Sequence, residues 1–161
     1  MVPPKRSALL TELAGHSFPR QIPAVGDPLL LYDRACGFCA RSVQFLLRHE
    51  SRRKDLRFAT LQGLTGQRIV NGPGGQAGID SVVWCEGDAV WVRSDAVLRA
   101  GRYLGGPWAA FAMIGAFVPR AIRDRLYRWV ARHRHRLGGP TCLIPTPEQR
   151  IRFLDLEGLR D

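Results

Sequence analysis

The sequence lacks any long apolar segment. The longest candidate for a membrane span, residues 107–119, has 13 residues, whereas a helix that spans a bilayer needs about 20. The N-terminus begins with two prolines and two basic residues, and too few apolar residues follow to form a secretory signal. We therefore expect neither a membrane span nor a leader. The 161 residues, 45% of them hydrophobic, fit one domain with a real core.

Cysteine is scarce. The four cysteines stand at positions 36, 39, 85 and 142, too few and too widely spaced for a disulfide framework in a chain of this length. A reducing compartment is the natural expectation. We predict a cytoplasmic location, in which any disulfide is transient and catalytic.

Lysine is nearly absent, yet the chain is strongly basic. Its 24 basic and 14 acidic residues give a net charge of +10, and all but two of the basic residues are arginine. Such a charge suits an acidic partner, nucleic acid or a membrane surface. No recognised nucleic-acid-binding motif occurs, so we expect no nucleic-acid partner. A peripheral membrane contact is compatible with the charge.

The residues with the clearest chemistry lie at one strand-to-helix junction. The apolar run Leu29–Tyr32, bounded by Pro28 and Asp33, is typical of a buried strand. Cys36 and Cys39 follow as a C-x-x-C, and the apolar residues after them recur at helical spacing. This context predicts a redox dithiol rather than a structural pair or half of a zinc site.

A helix start favours the thiolate form of Cys36. Free N–H groups and a partial positive charge lie at this end of a helix, and a thiolate is the attacking species in disulfide exchange. Arg34 and Arg41 add positive charge nearby, whereas the carboxylate of Asp33 acts in the opposite direction. We expect the thiolate to prevail.

The two cysteines have different predicted roles. Cys36 should point outward at the mouth of the turn, and Cys39 should lie one helical turn further in. Cys36 is therefore the predicted attacking thiol and Cys39 the resolving thiol. Gly37 lets the chain pack closely and leaves access to Cys36.

Two segments resemble one known family. Residues 32–39, Tyr-Asp-Arg-Ala-Cys-Gly-Phe-Cys, resemble the D-x-x-C-G-F-C signature of the DCC family of predicted thiol-disulfide oxidoreductases, in which Phe38 also has its place. Residues 126–138, followed by Cys142 and Pro145, resemble that family's C-terminal pattern of a tyrosine, an arginine-rich helix, a glycine and a cysteine. The resemblance covers roughly residues 28–154. It implies a thioredoxin-like fold and dithiol chemistry, without a particular substrate.

The order of the predicted elements agrees with that fold. The first strand, a helix over 36–50 and a strand over 56–60 form a βαβ unit. A weak helix over 61–70 and a hairpin of strands 81–85 and 89–92 follow. Ser94 and Asp95 then predict the cap of a helix that runs to residue 104. We predict an α/β protein with a thioredoxin- or glutaredoxin-like βαβαββα core and added C-terminal helices.

The hairpin departs from the thioredoxin-like pattern at one position. Such proteins usually place a cis-proline at the start of the third strand, and the alignment of hairpins puts Ser81 there, after Asp80. Glutathione-binding residues of glutaredoxins are therefore not carried over. Cys85, inside this strand, is expected to be a buried, inert thiol.

Two further helices are predicted after residue 106. Residues 108–117 are almost wholly apolar and predict a buried helix. Residues 120–136 predict an amphipathic basic helix whose arginines lie mostly on the solvated side, with an apolar face formed by Ile122, Leu126, Trp129, Val130 and His133. The alternatives are a face for a membrane or an anionic partner, and a positive field beside Cys36. His133 and His135 lack the spacing of common zinc sites, so no metal is expected.

The chain divides into three predicted parts. Residues 1–27 form a partly irregular N-terminal extension, 28–106 the thioredoxin-like core, and 107–161 a helical extension packed on the same domain. In the tail, Thr146 and Pro147 predict the start of a short helix. Cys142 stays open between a third redox thiol and a packing residue.

The predicted function is thiol-disulfide exchange of the protein-disulfide reductase type. Cys36, Cys39 and Asp33 are the predicted catalytic residues, with Asp33 fixing the turn or passing a proton. Substrate-binding or thiol-tuning positions are Arg34, Gly37, Phe38, Asp80, Ser81 and Cys142. The substrate is expected to be a disulfide-containing protein or a small thiol, with a separate recycling reductant.

No cofactor beyond a redox-active Cys36–Cys39 disulfide is expected. The alternative function is a non-catalytic binding domain. Its basic helix over 120–136 would dock an anionic partner or membrane, and its cysteines would be structural or zinc-binding.

Overall fold

The computed structural model of the chain describes residues 27–50, 55–72, 81–138, 143 and 145–155. The predictions for the N-terminal extension, for Asp80 and for Cys142 lie outside these residues.

Four strands form one mixed sheet in the order β2-β1-β3-β4. Strand β1 (Leu29–Tyr32) pairs in parallel with β2 (Arg57–Thr60), and helix α1 (Gly37–His49) connects them. Strand β3 (Val83–Glu86) runs antiparallel to β1, and β4 (Ala89–Val92) antiparallel to β3. The predicted βαβ unit and hairpin are both confirmed.

Five more helices complete the described fold. Helix α2 (Leu64–Asn71) precedes the hairpin and α3 (Ser94–Leu104) follows it. They are followed by α4 (Gly106–Phe117), α5 (Arg120–Gly138) and the short α6 (Pro147–Arg150). The order βαβαββα with further helices confirms the predicted α/β, thioredoxin-like class.

Strand β1 is buried on both sides, because helices cover both faces of the sheet. Successive residues of a strand point to opposite faces. Leu30 and Tyr32 accordingly pack with Val43, Phe58 and Trp84 in one core cluster. The second cluster holds Leu29, Leu31, Ala59, Val70, Val83 and Cys85. The burial predicted for Cys85 is confirmed, and it raises the pKa of that thiol to about 11.

Of the two helix caps predicted from polar residues, one is present in the structure and one is not. Thr146 caps α6 as predicted, because its hydroxyl accepts the N–H of Gln149 and the Gln149 side chain accepts the N–H of Thr146. The N-cap of α3 is instead Arg93, with φ of 55°, and no side chain caps that helix. The hydroxyl of Ser94 bonds to the carboxylate of Asp124 in α5, so a tertiary partner takes the group that a cap would use.

The prediction that α4 is buried is wrong. Its large apolar side chains are mostly in solvent, with Phe111 66% and Phe117 90% exposed. Only Ala112 is buried, on the side that packs against α3. An apolar sequence was expected to be covered on all sides, but α4 has a neighbour along one face.

The predicted inward face of α5 is also wrong. Ile122, Leu126 and Trp129 are all exposed. The side that faces the domain instead carries polar groups with specific partners. Arg123 pairs with Asp95, and the hydroxyl of Tyr127 accepts the backbone N–H of Val82, just before β3. Arg134 is buried. Polar pairing, rather than apolar burial, sets the rotation of α5. Among the described residues, none of the helices is long and apolar enough to cross a membrane.

Gly66, in the first turn of α2, allows the helix to approach β2 closely. A methyl group there would overlap the carbonyl oxygen of Thr60 and lie 2.9 Å from Cα of Leu61. We expect Gly66→Ala to lower the free energy of unfolding by about 2–3 kcal/mol, because rigid backbone cannot yield to the added carbon. Urea denaturation measures the change.

Gly115→Ala in α4 is the matched control. Its added carbon would meet only the flexible end of Leu98, at 3.1 Å, and alanine gains up to about 1 kcal/mol of helix propensity over glycine. Equal destabilisation by the two substitutions would contradict the role assigned to the close approach at Gly66.

Candidate functional site

The two thiols stand at the start of α1. Cys36 is the N-cap residue with an extended backbone, and its sulfur accepts the backbone N–H of Cys39 at 3.4 Å. The first turn of a helix leaves such N–H groups without backbone partners. The sulfur of Cys36 therefore takes the place that a serine or aspartate oxygen has in an ordinary cap, and this position favours negative charge on it.

The burial of the two thiols differs from the expected pattern. Cys36 is 0% exposed, and Cys39 is the partly exposed member. The prediction that Cys36 points outward is therefore wrong. Helix α5 lies across this end of α1: Arg41 of α1 donates to the carbonyl of Leu137 at 3.4 Å, and Arg134 reaches the turn before Cys36.

The thiol of Cys39 holds its proton firmly. Burial raises its pKa, and a hydrogen bond to Cys36 and the charge of Cys36 raise it further, to about 12. A backbone hydrogen bond from Asp33 and the charge of Arg134 act in the opposite direction but do not prevail. Of two adjacent thiols, the one that keeps its proton donates to the other sulfur. The arrangement therefore suits Cys39 as the thiol that keeps its proton until Cys36 has reacted.

Asp33 is held by three partners. Its Oδ1 accepts the N–H of Ala35 at 3.0 Å and the side-chain amide of Gln62 at 2.8 Å. Its Oδ2 pairs with Nη2 of Arg134 at 3.0 Å, and both side chains are about nine-tenths buried. A side-chain oxygen that bonds two residues ahead is the usual way in which aspartate fixes a turn. Of the two roles considered for Asp33, this geometry suits fixing the turn.

Helix α5 supplies residues of the site that were not predicted. Arg134 was assigned to the solvated arginine face, but it is buried against Asp33. The hydroxyl of Tyr127 accepts the N–H of Val82 at 3.0 Å, and burial raises the pKa of Tyr127. The signal for both lay in the C-terminal segment that resembles the family. No sequence pattern indicated that Gln62 belongs to the site.

The remaining predicted site residues differ in burial and in their partners. Ser81 is buried beside Val82, and its side chain forms a hydrogen bond with Tyr127 of α5. Ser81 therefore lies against α5. Gly37 is the first residue of α1, and Phe38 is half-buried behind it. Arg34 is exposed, and only its backbone N–H joins the network, at 3.3 Å from Oε1 of Gln62.

The spacing of the histidines in α5 predicts no zinc site. His133 has its Nδ1 2.8 Å from the carbonyl oxygen of Trp129, one turn earlier. Within the described ranges, no three side chains of His, Cys, Asp or Glu are grouped to hold a metal. Cys142 and the side chain of His135 are outside that description.

The pKa of Cys39 predicts how its alkylation depends on pH. Only a thiolate is alkylated, so the rate at Cys39 should keep rising through moderately alkaline pH, because the thiolate fraction is still increasing there. In Cys36→Ser the charge that opposes ionisation is gone, and the pKa of Cys39 should fall. Alkylation at a fixed pH should then be faster. Mass spectrometry of each cysteine measures both rates.

Cys85 is the internal control for this experiment. Burial alone raises its pKa, so Cys36→Ser should leave its alkylation unchanged. The pKa of a free thiol is usually about 8.5. If the alkylation rate of Cys39 in the unaltered chain levelled off near pH 9, that result would contradict the raised pKa of Cys39.

Comparisons with known proteins agree with the sequence patterns. The family described as DCC1-like thiol-disulfide oxidoreductase matches residues 30–140. The uncharacterized protein YuxK of Bacillus subtilis (strain 168) is 34% identical over 137 residues, which cover 83% of this chain and 96% of that protein. A chloroplastic DCC family protein of Arabidopsis thaliana is 34% identical over 113 residues, which cover 70% of this chain and 65% of that protein. No solved structure matches.

Proposed function

Since the chain belongs to the DCC1-like thiol-disulfide oxidoreductase family, we propose that it carries out dithiol-disulfide exchange through Cys36 and Cys39. One observation carries this proposal: the sulfur of Cys36 caps α1 and accepts the N–H of Cys39, which favours a thiolate at the position of the attacking thiol. We assign the reductase direction, with a disulfide-containing protein or a small disulfide as substrate.

The reaction has two exchange steps. The thiolate of Cys36 attacks one sulfur of the substrate disulfide, a Cys36–substrate bond forms, and the other substrate sulfur leaves as a thiolate. Cys39 then loses its proton and attacks the sulfur of Cys36. The second substrate sulfur leaves, the substrate has gained two electrons, and a Cys36–Cys39 disulfide remains. A separate dithiol reductant returns the protein to its starting state.

The coupling between the thiols sets the order of these steps. Before the first step, the charge and the hydrogen bond of Cys36 keep the proton on Cys39. Once Cys36 is bonded to substrate it has no charge, and both influences disappear. The pKa of Cys39 then falls, although burial still raises it, so Cys39 is a better nucleophile once there is a mixed disulfide to resolve.

The burial of Cys36 adds a requirement for access. A sulfur with no exposed surface cannot be reached along the axis of a substrate disulfide, so the contacts between α5 and the start of α1 must open first. Cys39 is partly exposed, so we expect the opening on its side of the site. Tyr127 and Arg134 line the part of α5 that has to move.

A glutathione redox titration with mass-spectrometric mapping of cysteine pairs tests the proposal. We expect one transition with a defined potential and a Cys36–Cys39 disulfide on its oxidised side, with the value of the potential telling reductant from oxidant. Cys85→Ala should leave the transition in place, since Cys85 is buried in the other core cluster. Absence of a disulfide at every potential would overturn the proposal. A disulfide to Cys142 would reassign the resolving thiol to the tail.

A further inference from the structure

The dithiol chemistry leaves helix α4 without a role. Its 12 residues contain no charged side chain, and four of its large apolar side chains are exposed: Phe111, Met113, Ile114 and Phe117. An exposed apolar cluster of this kind is uncommon on a monomeric soluble protein, and it usually marks an interaction site.

The outer face of α5 combines apolar side chains with positive charge. Ile122, Leu126 and Trp129 are exposed there. Between and after them stand exposed arginines, namely Arg125, Arg128, Arg132 and Arg136. Residues 106–138 together hold seven arginines and one aspartate, but Arg123 and Arg134 lie on the side that faces the domain, where they pair with Asp95 and Asp33. The positive charge of the outer face comes from the exposed arginines, which stand beside its exposed apolar residues.

We propose that α4 and the outer face of α5 dock on the surface of an anionic phospholipid bilayer. An apolar face that enters the region between headgroups and acyl chains, flanked by basic residues that meet anionic headgroups, is the chemistry of interfacial helices. A helix of 12 residues is about 18 Å long, well short of the bilayer core of about 30 Å. It can therefore lie in the interface but not cross it.

Arginine suits the edge of such a surface. Its long apolar stem extends along acyl chains while the guanidinium stays among the headgroups. The connection between the two helices, Val118 and Pro119, is short and also exposed. The apolar and the basic helix thus follow each other directly along the chain.

Charge argues against a second copy of the chain as the occupant. A two-fold interface brings the same patch of both copies together, so the arginines of α5 would face one another. Like charges in such an interface are repulsive. Anionic lipid complements the charge and also covers the apolar side chains, which a nucleic-acid backbone would leave in water.

Cosedimentation with vesicles tests the proposal. The full chain should partition to vesicles of mixed phosphatidylcholine and phosphatidylglycerol and only weakly to phosphatidylcholine alone. Raising the salt concentration should weaken the binding, because it screens the exposed arginines. The fluorescence of the exposed Trp129 should shift to the blue on binding.

Two sets of substitutions separate the apolar and the charged contributions. Phe111→Ser with Phe117→Ser should lower the partition coefficient by about tenfold or more. Arg125→Gln, Arg128→Gln and Arg132→Gln together should lower it by about a hundredfold, at about fivefold for each arginine near an anionic surface. These side chains are exposed, so the variants should fold.

Matched controls come from other faces of the chain. Leu64→Ser and Ile151→Ser remove apolar side chains that are 77% and 68% exposed on α2 and after α6. Arg48→Gln, Arg102→Gln and Arg150→Gln remove exposed charge on α1, α3 and α6. Both controls should change the partition far less than the variants of α4 and α5.

Three results would overturn the proposal. One is a folded protein that stays in the supernatant with anionic vesicles. Another is binding that depends on the arginines but not on Phe111 and Phe117, because α4 would then take no part. The third is a dimer that the phenylalanine substitutions dissociate without any vesicle binding, which would assign the surface to a second copy. The thiol titration is independent of all three.

Discussion

Cys39→Ser is expected to accumulate a mixed disulfide between Cys36 and its substrate, whereas Cys36→Ser is expected to abolish exchange. The first substitution leaves the attacking sulfur and its helix cap in place but removes the thiol that resolves the intermediate. The second removes the nucleophile itself. Turnover in both variants should fall by at least about a hundredfold. Removal of a catalytic nucleophile can lower a rate far more than this, so the value is a lower bound.

Non-reducing mass spectrometry after incubation with oxidised glutathione distinguishes the two variants. Cys39→Ser should gain one glutathione on Cys36, and should gain it faster than Cys36→Ser gains one on Cys39, whose pKa burial still raises. Cys85→Ser is the matched control, since this thiol is buried in the sheet and should affect neither turnover nor trapping. Full reductase activity in Cys36→Ser would contradict the assignment. Faster addition of glutathione to Cys39 in that variant than to Cys36 in Cys39→Ser would reverse the two roles.

Removal of one charge from the Asp33–Arg134 pair is expected to destabilise the fold severely. Both side chains are about nine-tenths buried, and the loss of one partner leaves the other charge buried without compensation, at a cost of about 3–5 kcal/mol. Asp33→Asn keeps an oxygen for the N–H of Ala35 and so isolates the effect of charge. Arg134→Gln tests the same pair from the side of α5. Urea denaturation measures both.

A double variant and an exposed pair provide the controls. Asp33→Asn with Arg134→Met removes both charges and should recover much of the lost free energy of unfolding. Arg120→Gln breaks an ion pair whose arginine is 65% exposed, and should cost less than about 1 kcal/mol. A loss as small in Arg134→Gln as in Arg120→Gln would show that the buried pair does not hold α5. Where Arg134→Gln still folds, Cys36 should be alkylated faster than in the unaltered chain.

The local parts of the fold could be predicted from the sequence because each rests on a short pattern. The run Leu29–Tyr32, the C-x-x-C and the helical spacing after it lie within a few residues of one another, and their junction is where the structure has it. The hairpin follows from two β-rich runs around Gly87, whose φ of +58° suits glycine. The order of elements then leaves few alternatives to a thioredoxin-like sheet.

The surroundings of the thiols could not be predicted in this way. Helical periodicity assumes that the apolar side of a helix turns inward, which gave Ile122, Leu126 and Trp129 the position that Tyr127 and Arg134 in fact hold. The deciding groups, the carboxylate of Asp33 and the N–H of Val82, are far from α5 in sequence. Cys36 was predicted to point outward because it starts its helix, and no local pattern indicated that α5 covers it.

The distance in sequence between the thiols and their cover has a consequence for biosynthesis. Arg134 contacts a residue 101 positions earlier in the chain, and a ribosome adds about 5–20 residues per second. The dithiol therefore emerges on the order of ten seconds before the helix that encloses it. Throughout that interval the nascent chain presents two uncovered thiols, so the redox state in which the protein first folds depends on the compartment where translation takes place.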